Sequence, residues 1–367
     1  MKIKTKRFSK NLRIILAIAW KDIVEGWKNK VVLTSVITAL FLVIFYNYLP
    51  DLTRDNDLST LVFLTENPTN LEAQVQDVNN FNIQIVEEQE DFFYLLRDSE
   101  TPTMGILLKA ESSETSQAQK PLMLDAFVPY WMKESQIKDL KTTFETTFTN
   151  LWQKEVRLND QVEIVYPMME SQANGKIFIA SAGLLLQIIL LGLSMAPQLI
   201  IEEKESRTLN AIMVSPATLS QFVIGKSLAV LFYTILTTTI GLFFIGNLVI
   251  NWGLLALALL IGMFCFIIPG ILVGAILQTK QQITLWIWVL FIPTMMPMFF
   301  SIVRVLPESV MKIIDWWPTV ALARLLRAGF SYQPPLNSFG WELLYLIGFS
   351  GIFLAITILV VRRQSYQ

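Results

Sequence analysis

Six stretches of this chain are too long and too apolar to fold in water. A helix needs about 20 mostly apolar residues to cross the hydrocarbon core of a bilayer. Residues 31–49, 177–201, 252–277 and 283–303 carry no charged side chain. Residues 222–250 carry only Lys226, and residues 341–361 only Glu342, each near one end. Over 367 residues, 53% are hydrophobic and 16% charged, with a mean hydropathy of +0.49. That balance fits an integral membrane protein and not a typical soluble enzyme. The fold class expected is an α-helical polytopic membrane protein with six transmembrane helices and an inserted extracellular α/β domain.

Charge sets the orientation. Residues 51–173 hold 22 Asp/Glu against 9 Lys/Arg, a local net of −13, while the remainder is at +12. The first 30 residues carry nine Lys/Arg, and Arg362 and Arg363 lie near the other end. Cytoplasmic loops are rich in Lys and Arg. Six spans put both basic ends in the cytoplasm, Lys204 and Arg207 with them, and the acidic block outside. Arg304, Lys312, Arg324 and Arg327 fit this less well, because they fall on the outer side. The expected division is an interfacial amphipathic helix at 1–30, a first span at 31–49 and an external domain at 50–175. A second span at 176–201 and a cytoplasmic helix at 202–221 follow. Spans at 222–250, 252–277 and 283–303, an outer re-entrant segment at 304–340, a last span at 341–361 and a cytoplasmic tail at 362–367 complete it.

The N-terminal stretch is basic, but no small-residue cleavage site follows its apolar run, so it does not read as a cleaved signal peptide. Phe8, Leu12, Ile15, Leu16, Ala19, Trp20, Ile23 and Trp27 recur at helical spacing, with Lys10, Arg13, Lys21 and Lys28 between them. Such a helix is expected in the plane of the cytoplasmic interface. In 304–340 the run 316–330 is amphipathic, with Trp316, Trp317 and Phe330 as expected interfacial anchors; the alternative is an ordinary external loop with some helix. Pro269, Pro293 and Pro297 are expected to kink or unwind their spans.

In the polar block, strands are expected at 61–66, 83–88, 104–109, 122–128 and 162–166. Helices are expected at 68–80, 89–98 and 130–157. Alternation of this kind predicts an α/β domain on a mixed sheet. Glu87, Glu88, Glu90 and Asp91 read as a solvated acidic face, with cation binding the lesser alternative. The chain has no histidine and one cysteine, Cys265. This excludes histidine triads, histidine-ligated zinc and an intramolecular disulfide.

Residues 201–226 carry the functional signal. Glu202, Glu203 and Glu205 stand beside Lys204 and Arg207. Leu209, Ile212 and Met213 share one helical face, and Pro216 ends the helix. Thr218 or Ser220 can cap the next one. An acidic cluster, Thr208-Leu209, two further apolar positions, Pro216 and then Gly225-Lys226 resemble the signature of the ABC-2 permease family. Asn210 stands where an acid is common. AWKDIVEGWKNK at 19–30, with Trp20, Lys21, Asp22 and Trp27, is similar to the interfacial connecting helix of that family, and the order of spans matches along essentially the whole chain. The insert resembles those of sodium, multidrug, peptide or lipid efflux permeases.

The resemblance implies the ABC-2, or type V exporter, fold. It implies a coupling role toward the ATPase for Glu202, Glu203, Glu205, Arg207, Thr208, Leu209, Ile212, Met213 and Pro216. It implies two copies of an ABC ATP-binding subunit that hold the ATP and magnesium, a second permease copy or paralogue, membrane lipid around both, and no nucleic-acid partner. It further implies a path lined by spans one, two and five, in the plasma (inner) membrane of a prokaryote. No cofactor is expected in this chain. GKS at 225–227 is no P-loop, since Ser220 stands where the loop needs glycine. The polar residues expected inside the spans are Thr34, Ser35, Thr38, Gln187, Ser194, Thr234, Thr237, Thr238, Thr239, Thr284 and Thr294, with no carboxylate among them. That favours an amphipathic cargo over a dedicated cation route. Sodium or cation efflux, a membrane-anchored receptor and an intramembrane enzyme are the competing classes.

Overall fold

A computed structural model describes residues 2–28, 30–53, 58–65, 68–75, 78, 80–99, 101–108, 121–159, 162–167, 175–206, 218–303, 307–332 and 339–364. In chain order it begins with α1 (Lys2–Gly26) and α2 (Lys30–Thr53). An α/β stretch follows: β1 (Thr60–Leu64), α3 (Pro68–Val75), β2 (Asn82–Val86), α4 (Gln89–Asp98), β3 (Thr103–Leu107), β4 (Leu122–Pro129), α5 (Glu134–Trp152), β5 (Val156–Leu158) and β6 (Glu163–Val165). Next come α6 (Gly175–Leu190), a π-helical turn (Leu191–Met195), α7 (Ala196–Glu205), α8 (Leu219–Ile245), α9 (Trp252–Ile276) and α10 (Lys280–Val303). The short helices α11 (Glu308–Asp315) and α12 (Pro318–Phe330) precede α13 (Phe339–Gln364).

The chain divides into two compact units. One comprises Met1–Leu49, Ile179–Gly329 and Pro335–Gln367. Its helical segments Ile177–Glu205, Ser220–Leu248, Trp252–Ile276, Lys280–Ser301 and Phe339–Val360 are each long and apolar enough to cross a membrane. Of the expected span 31–49, the apolar helix among the described residues is Val32–Phe41, within α2. The first of the five, Ile177–Glu205, is 83% buried over its most apolar window, whereas the windows in α10 and α13 are 17% buried. A helix surrounded by protein and two helices facing outward is the pattern expected where lipid is the outer solvent.

Hydroxyls knit this unit together. Ser35 and Ser194 lie 3.2 Å apart, and Gln187 Nε2 donates to Thr238 Oγ1 at 3.3 Å. Thr34, Thr234, Thr237, Thr239, Thr284 and Thr294 donate to carbonyls one turn earlier in their own helices. Such bonds satisfy polar groups that lipid would not.

The expected proline breaks do not unwind the helices: α9 runs through Pro269, and α10 through Pro293 and Pro297. The ladder changes instead in the second span, at the π turn. A β-carbon on Gly270 would overlap the carbonyl oxygen of Gly192 in that turn. Only glycine allows α9 to approach this closely. Phe330 is another correction. It is fully buried and so anchors nothing at an interface, whereas Trp316 and Trp317 are 61% and 40% exposed. α12 packs through Leu322 against Gly262 of α9.

The other unit comprises Pro50–Phe178 with Phe330–Pro334. Its six-stranded sheet runs β2-β1-β3-β4-β5, with β6 also on β4. β1, β2 and β3 are mutually parallel, β4 is antiparallel to β3, and β5 and β6 pair parallel with successive parts of β4. Central β1 is buried along almost its whole length, which explains its unbroken apolar run. Val62 faces Phe92 and Leu96 of α4, while Phe63 meets Phe144 and Phe148 of α5 with ring centroids 6.3 and 5.6 Å apart. Glu87, Glu88, Glu90 and Asp91 are exposed, and the last two sit in the first turn of α4, where a helix favours negative charge.

The expected long helix 130–157 is shorter. It starts at Glu134 because β4 runs to Pro129, and it stops at Trp152 because Gln153 turns left-handed at φ 51°. Val156–Leu158 then forms β5. Thr149 Oγ1 accepts from the Val156 amide at 3.0 Å and Glu145 Oε1 from the Leu158 amide at 2.8 Å.

Candidate functional site: an ionic junction at the end of α7

The acidic residues 202, 203 and 205 close a helix, since α7 continues through Glu205. Four successive side chains there reach other elements. Glu202 lies 3.9 Å from Lys280 Nζ, at the start of α10. Glu203 Oε1 accepts from Lys226 Nζ of α8 at 2.9 Å and from Lys21 Nζ of α1 at 3.0 Å. Lys204 Nζ turns the other way and donates to the carbonyls of Ala275 and Leu277 at 2.5 and 2.9 Å. Those carbonyls belong to the C-terminal end of α9, where backbone acceptors are left over and positive charge is favoured. Glu205 Oε2 lies 3.4 Å from Lys280 Nζ, and its Oε1 accepts from the Lys280 amide at 3.2 Å. A carboxylate at the first amide of α10 is the complementary case.

Lys226 is the centre of the buried part. Its ammonium also donates to Asp22 Oδ1 at 2.8 Å and stands over the Phe222 ring at 5.4 Å from the centroid. The side chains of Lys226, Asp22 and Glu203 are 2%, 3% and 7% exposed. Asp22 Oδ2 is buried and accepts no hydrogen bond among the described residues. Burial raises the Asp22 carboxyl above its ordinary range, and the charge and hydrogen bond of Lys226 offset only part of this. Burial pulls Lys21 down, but the hydrogen bond and charge of Glu203, helped by Glu25 and Asp22, prevail and raise it.

α1 is brought here by close packing on α8. A β-carbon at Gly225 would come within 2.7 Å of Ile18, so glycine lets the two helices touch. The Tyr233 hydroxyl donates to the Ile23 carbonyl at 2.6 Å, and Trp27 lies 6.1 Å from the Tyr233 ring. α8 itself starts with a reciprocal capping pair between Thr218 and Gln221. A cleft of about 590 Å³ opens beside the cluster. Asp22, Glu25, Glu202, Glu203 and Glu205 line it together with Lys21, Lys226 and Lys280, so carboxylates outnumber ammoniums. Among the described residues, no group of three His, Cys, Asp or Glu side chains is arranged to hold a metal.

Of the residues singled out in the sequence, the structure brings Lys21, Asp22, Glu202, Glu203 and Glu205 to this junction. Trp20 of α1 and Trp27, in the turn that follows it, are 67% and 57% exposed. Arg207, Thr208, Leu209, Ile212, Met213 and Pro216 lie outside the described residues. The sequence reading missed that Lys226 and Asp22 are partners, 204 positions apart. The signal was present: Lys226 is the single charge in the stretch 222–250, and a lone ionisable group in such a stretch needs a counter-charge.

Comparisons with curated proteins and with solved structures give no match. A family profile described as ABC-2 family transporter protein matches residues 30–359. That match covers most of the chain, and the five apolar helices agree with it: the chain belongs to the ABC-2 family and is a multi-pass membrane subunit of an ABC transporter.

Proposed function

We propose that this chain is the permease of an ABC exporter, moving an amphipathic drug-, peptide- or lipid-like substrate outward on ATP hydrolysed by a separate subunit. In this reading six spans place both termini in the cytoplasm of a prokaryote and the α/β unit outside its plasma membrane. Two permeases, identical or paralogous, pair with two ATP-binding subunits that hold the ATP and magnesium. Residues 202–216 form the coupling segment. Glu202 and Glu205 are its half-open acidic face, and Arg207, Thr208, Leu209, Ile212, Met213 and Pro216 complete it.

One observation carries the reading: Glu202, Glu203, Lys204 and Glu205 tie the end of α7 to α1, α8, α9 and α10. A push on this end is therefore shared by four other helices at once. Glu203 is buried inside the chain, so its part is to hold α1 and α8 to α7, while the more exposed carboxylates face the partner. The junction moves as a body.

The test is co-purification of the full chain with an ABC ATP-binding subunit, wild type against Glu202→Lys/Glu205→Lys. The wild type is expected to retain the ATPase and the variant to lose it. If no ABC ATPase binds the wild type, the permease reading fails. If the variant keeps both the ATPase and ATP-driven transport, coupling does not pass through this face.

A further inference from the structure

The π turn Leu191–Met195 is buried and lies in the middle of the helical segment Ile177–Glu205. It meets α9 backbone to backbone. A β-carbon on Gly270 would overlap the Gly192 carbonyl oxygen, and one on Gly274 would come within 2.6 Å of Pro197 Cα. On α9 the two glycines are four positions apart, about one turn of an α-helix, and so share a face. Their partners Gly192 and Pro197 are five positions apart. A continuous α-helix would turn those two about 140° from each other, and both could not face α9. A π turn closes its hydrogen bonds over one residue more than an α turn, so five positions bring the two residues back into line. Pro197 adds a local cause, because it has no amide to offer the Leu193 carbonyl four residues earlier. Proline alone does not widen a helix in this chain, since α9 and α10 run through theirs.

We propose that the extra residue in this turn is a positioning device for the ionic junction: it sets the rotation of α7 that aims Glu203 at α8 and Lys204 at α9. Below the turn α7 is regular, so the register set there is carried to its tip. Lys204 lies seven positions after Pro197, about two turns on and on the same face, and it meets the carbonyls at the end of α9. Glu203 lies one position earlier, about 100° round the helix, and meets Lys226 of α8. Above the turn, Gln187 Nε2 donates to Thr238 of the same α8 at 3.3 Å. Gln187 and Glu203 are sixteen positions apart and would point about 160° from each other on a continuous α-helix. Taking up one residue brings them to within about 60°. Wound as α-helix throughout, the same residues would keep Gln187 on α8 only by turning Glu203 and Lys204 away from their partners. The inference rests on the junction as the coupling site, but its test needs no ATPase.

The experiment follows the thermal midpoint of the full chain in detergent. Deletion of Leu193 leaves Gly192 and Pro197 four positions apart, so the turn can close as α-helix with both ends in register. Its midpoint is expected to stay within about 4 °C of wild type. Deletion of Ala229 in α8, where no wide turn can absorb it, is expected to lower the midpoint further or to prevent folding. An alanine inserted between Leu199 and Ile200 rotates the tip alone by about 100°. The readout specific to positioning is the interaction between Glu203→Gln and Lys226→Met. Their effects on the midpoint are expected to be non-additive in wild type and after deletion of Leu193, and to become additive after the insertion. Deletion of Leu193 together with the insertion restores the length and is expected to restore the interaction. A Leu193 deletion as damaging as that of Ala229, or one that abolishes the interaction, overturns the proposal. An interaction that survives the insertion also overturns it, since the tip would then find its partners without the turn. Where the insertion alone yields no folded chain, recovery of the combined variant supports the proposal and failure to recover overturns it. If no ATPase binds while these results stand, the turn positions a structural junction and the coupling reading alone fails.

Discussion

The second apolar segment is held in two contrasting ways along its length. In its middle, the π turn Leu191–Met195 lies against α9 with backbone nearly touching backbone, and the contact admits no side chain at Gly270. At its end, residues 202–205 are held by charge, through the ammoniums of Lys21, Lys226 and Lys280 and the carbonyls at the end of α9. The first contact is a matter of shape and should tolerate any pH or salt. The second is a matter of charge balance and should tolerate changes of shape. A helix pivoted by close packing and gripped by charge at its tip can transmit movement from that tip.

The strongest way to break this contrast is to remove the central cation. Lys226→Met leaves Asp22 buried without its paired cation and Glu203 with Lys21 alone, and breaking a buried pair from one side costs about 3–5 kcal/mol. The thermal midpoint in detergent should fall steeply. Asp22→Asn/Glu203→Gln/Lys226→Met removes the charges together and should recover most of the loss, since a buried pair is itself a weak source of stability. If the triple variant is as unstable as the single one, shape rather than charge governs the junction.

Next in size is the seam. Gly270→Ala forces a methyl group into the Gly192 carbonyl and should cost about 1–3 kcal/mol, the range for overpacking. Its loss should be independent of salt from low to molar concentrations. A salt-dependent loss would erase the distinction between the two regions.

A smaller effect is expected from pH. The Asp22 carboxyl is raised by burial, so the folded chain holds that proton more tightly than the unfolded one. Its ionised form is then a cost to the fold that disappears as pH falls. The stability of wild type relative to Asp22→Asn should therefore grow on acidification from neutral, through the raised value, and level off below the ordinary carboxylate range. A difference that stays flat with pH would show that Asp22 keeps its ordinary affinity for the proton. The least effect belongs to Glu205→Gln. Its pair with Lys280 is part-exposed at 40% and 49%, and such pairs contribute about 0–1 kcal/mol. Loss of the ATPase without loss of stability is the result that would assign Glu205 to partner contact.

Much of this was legible in the sequence because hydropathy and strand–helix alternation are local signals. The charge-free runs at 177–201, 252–277 and 283–303 mark their helices directly, and the strands from 61 to 128 each read as compact apolar runs. What could not be read depends on distant partners or on backbone geometry without a residue signature. β5 follows a stop at Gln153 with no glycine or proline nearby, and it is held by Thr149 and Glu145 on α5. The π turn contains no proline, while the three prolines inside α9 and α10 leave those helices unbroken. Lys226 announced a need for a counter-charge, but nothing local said that Asp22, 204 residues earlier, would supply it.

The most direct test of the junction is whether α1 and the end of α7 move together. Spin labels at Lys28 and Ser206, in a Cys265→Ser background, report their spacing in the assembled transporter with and without ATP. If the junction moves as a body, the distribution stays narrow and its centre shifts by less than about 2 Å, the scale of small helix shifts. A second population, or a larger shift on ATP binding, would show that α1 slides past α7 and would contradict a rigid ionic junction.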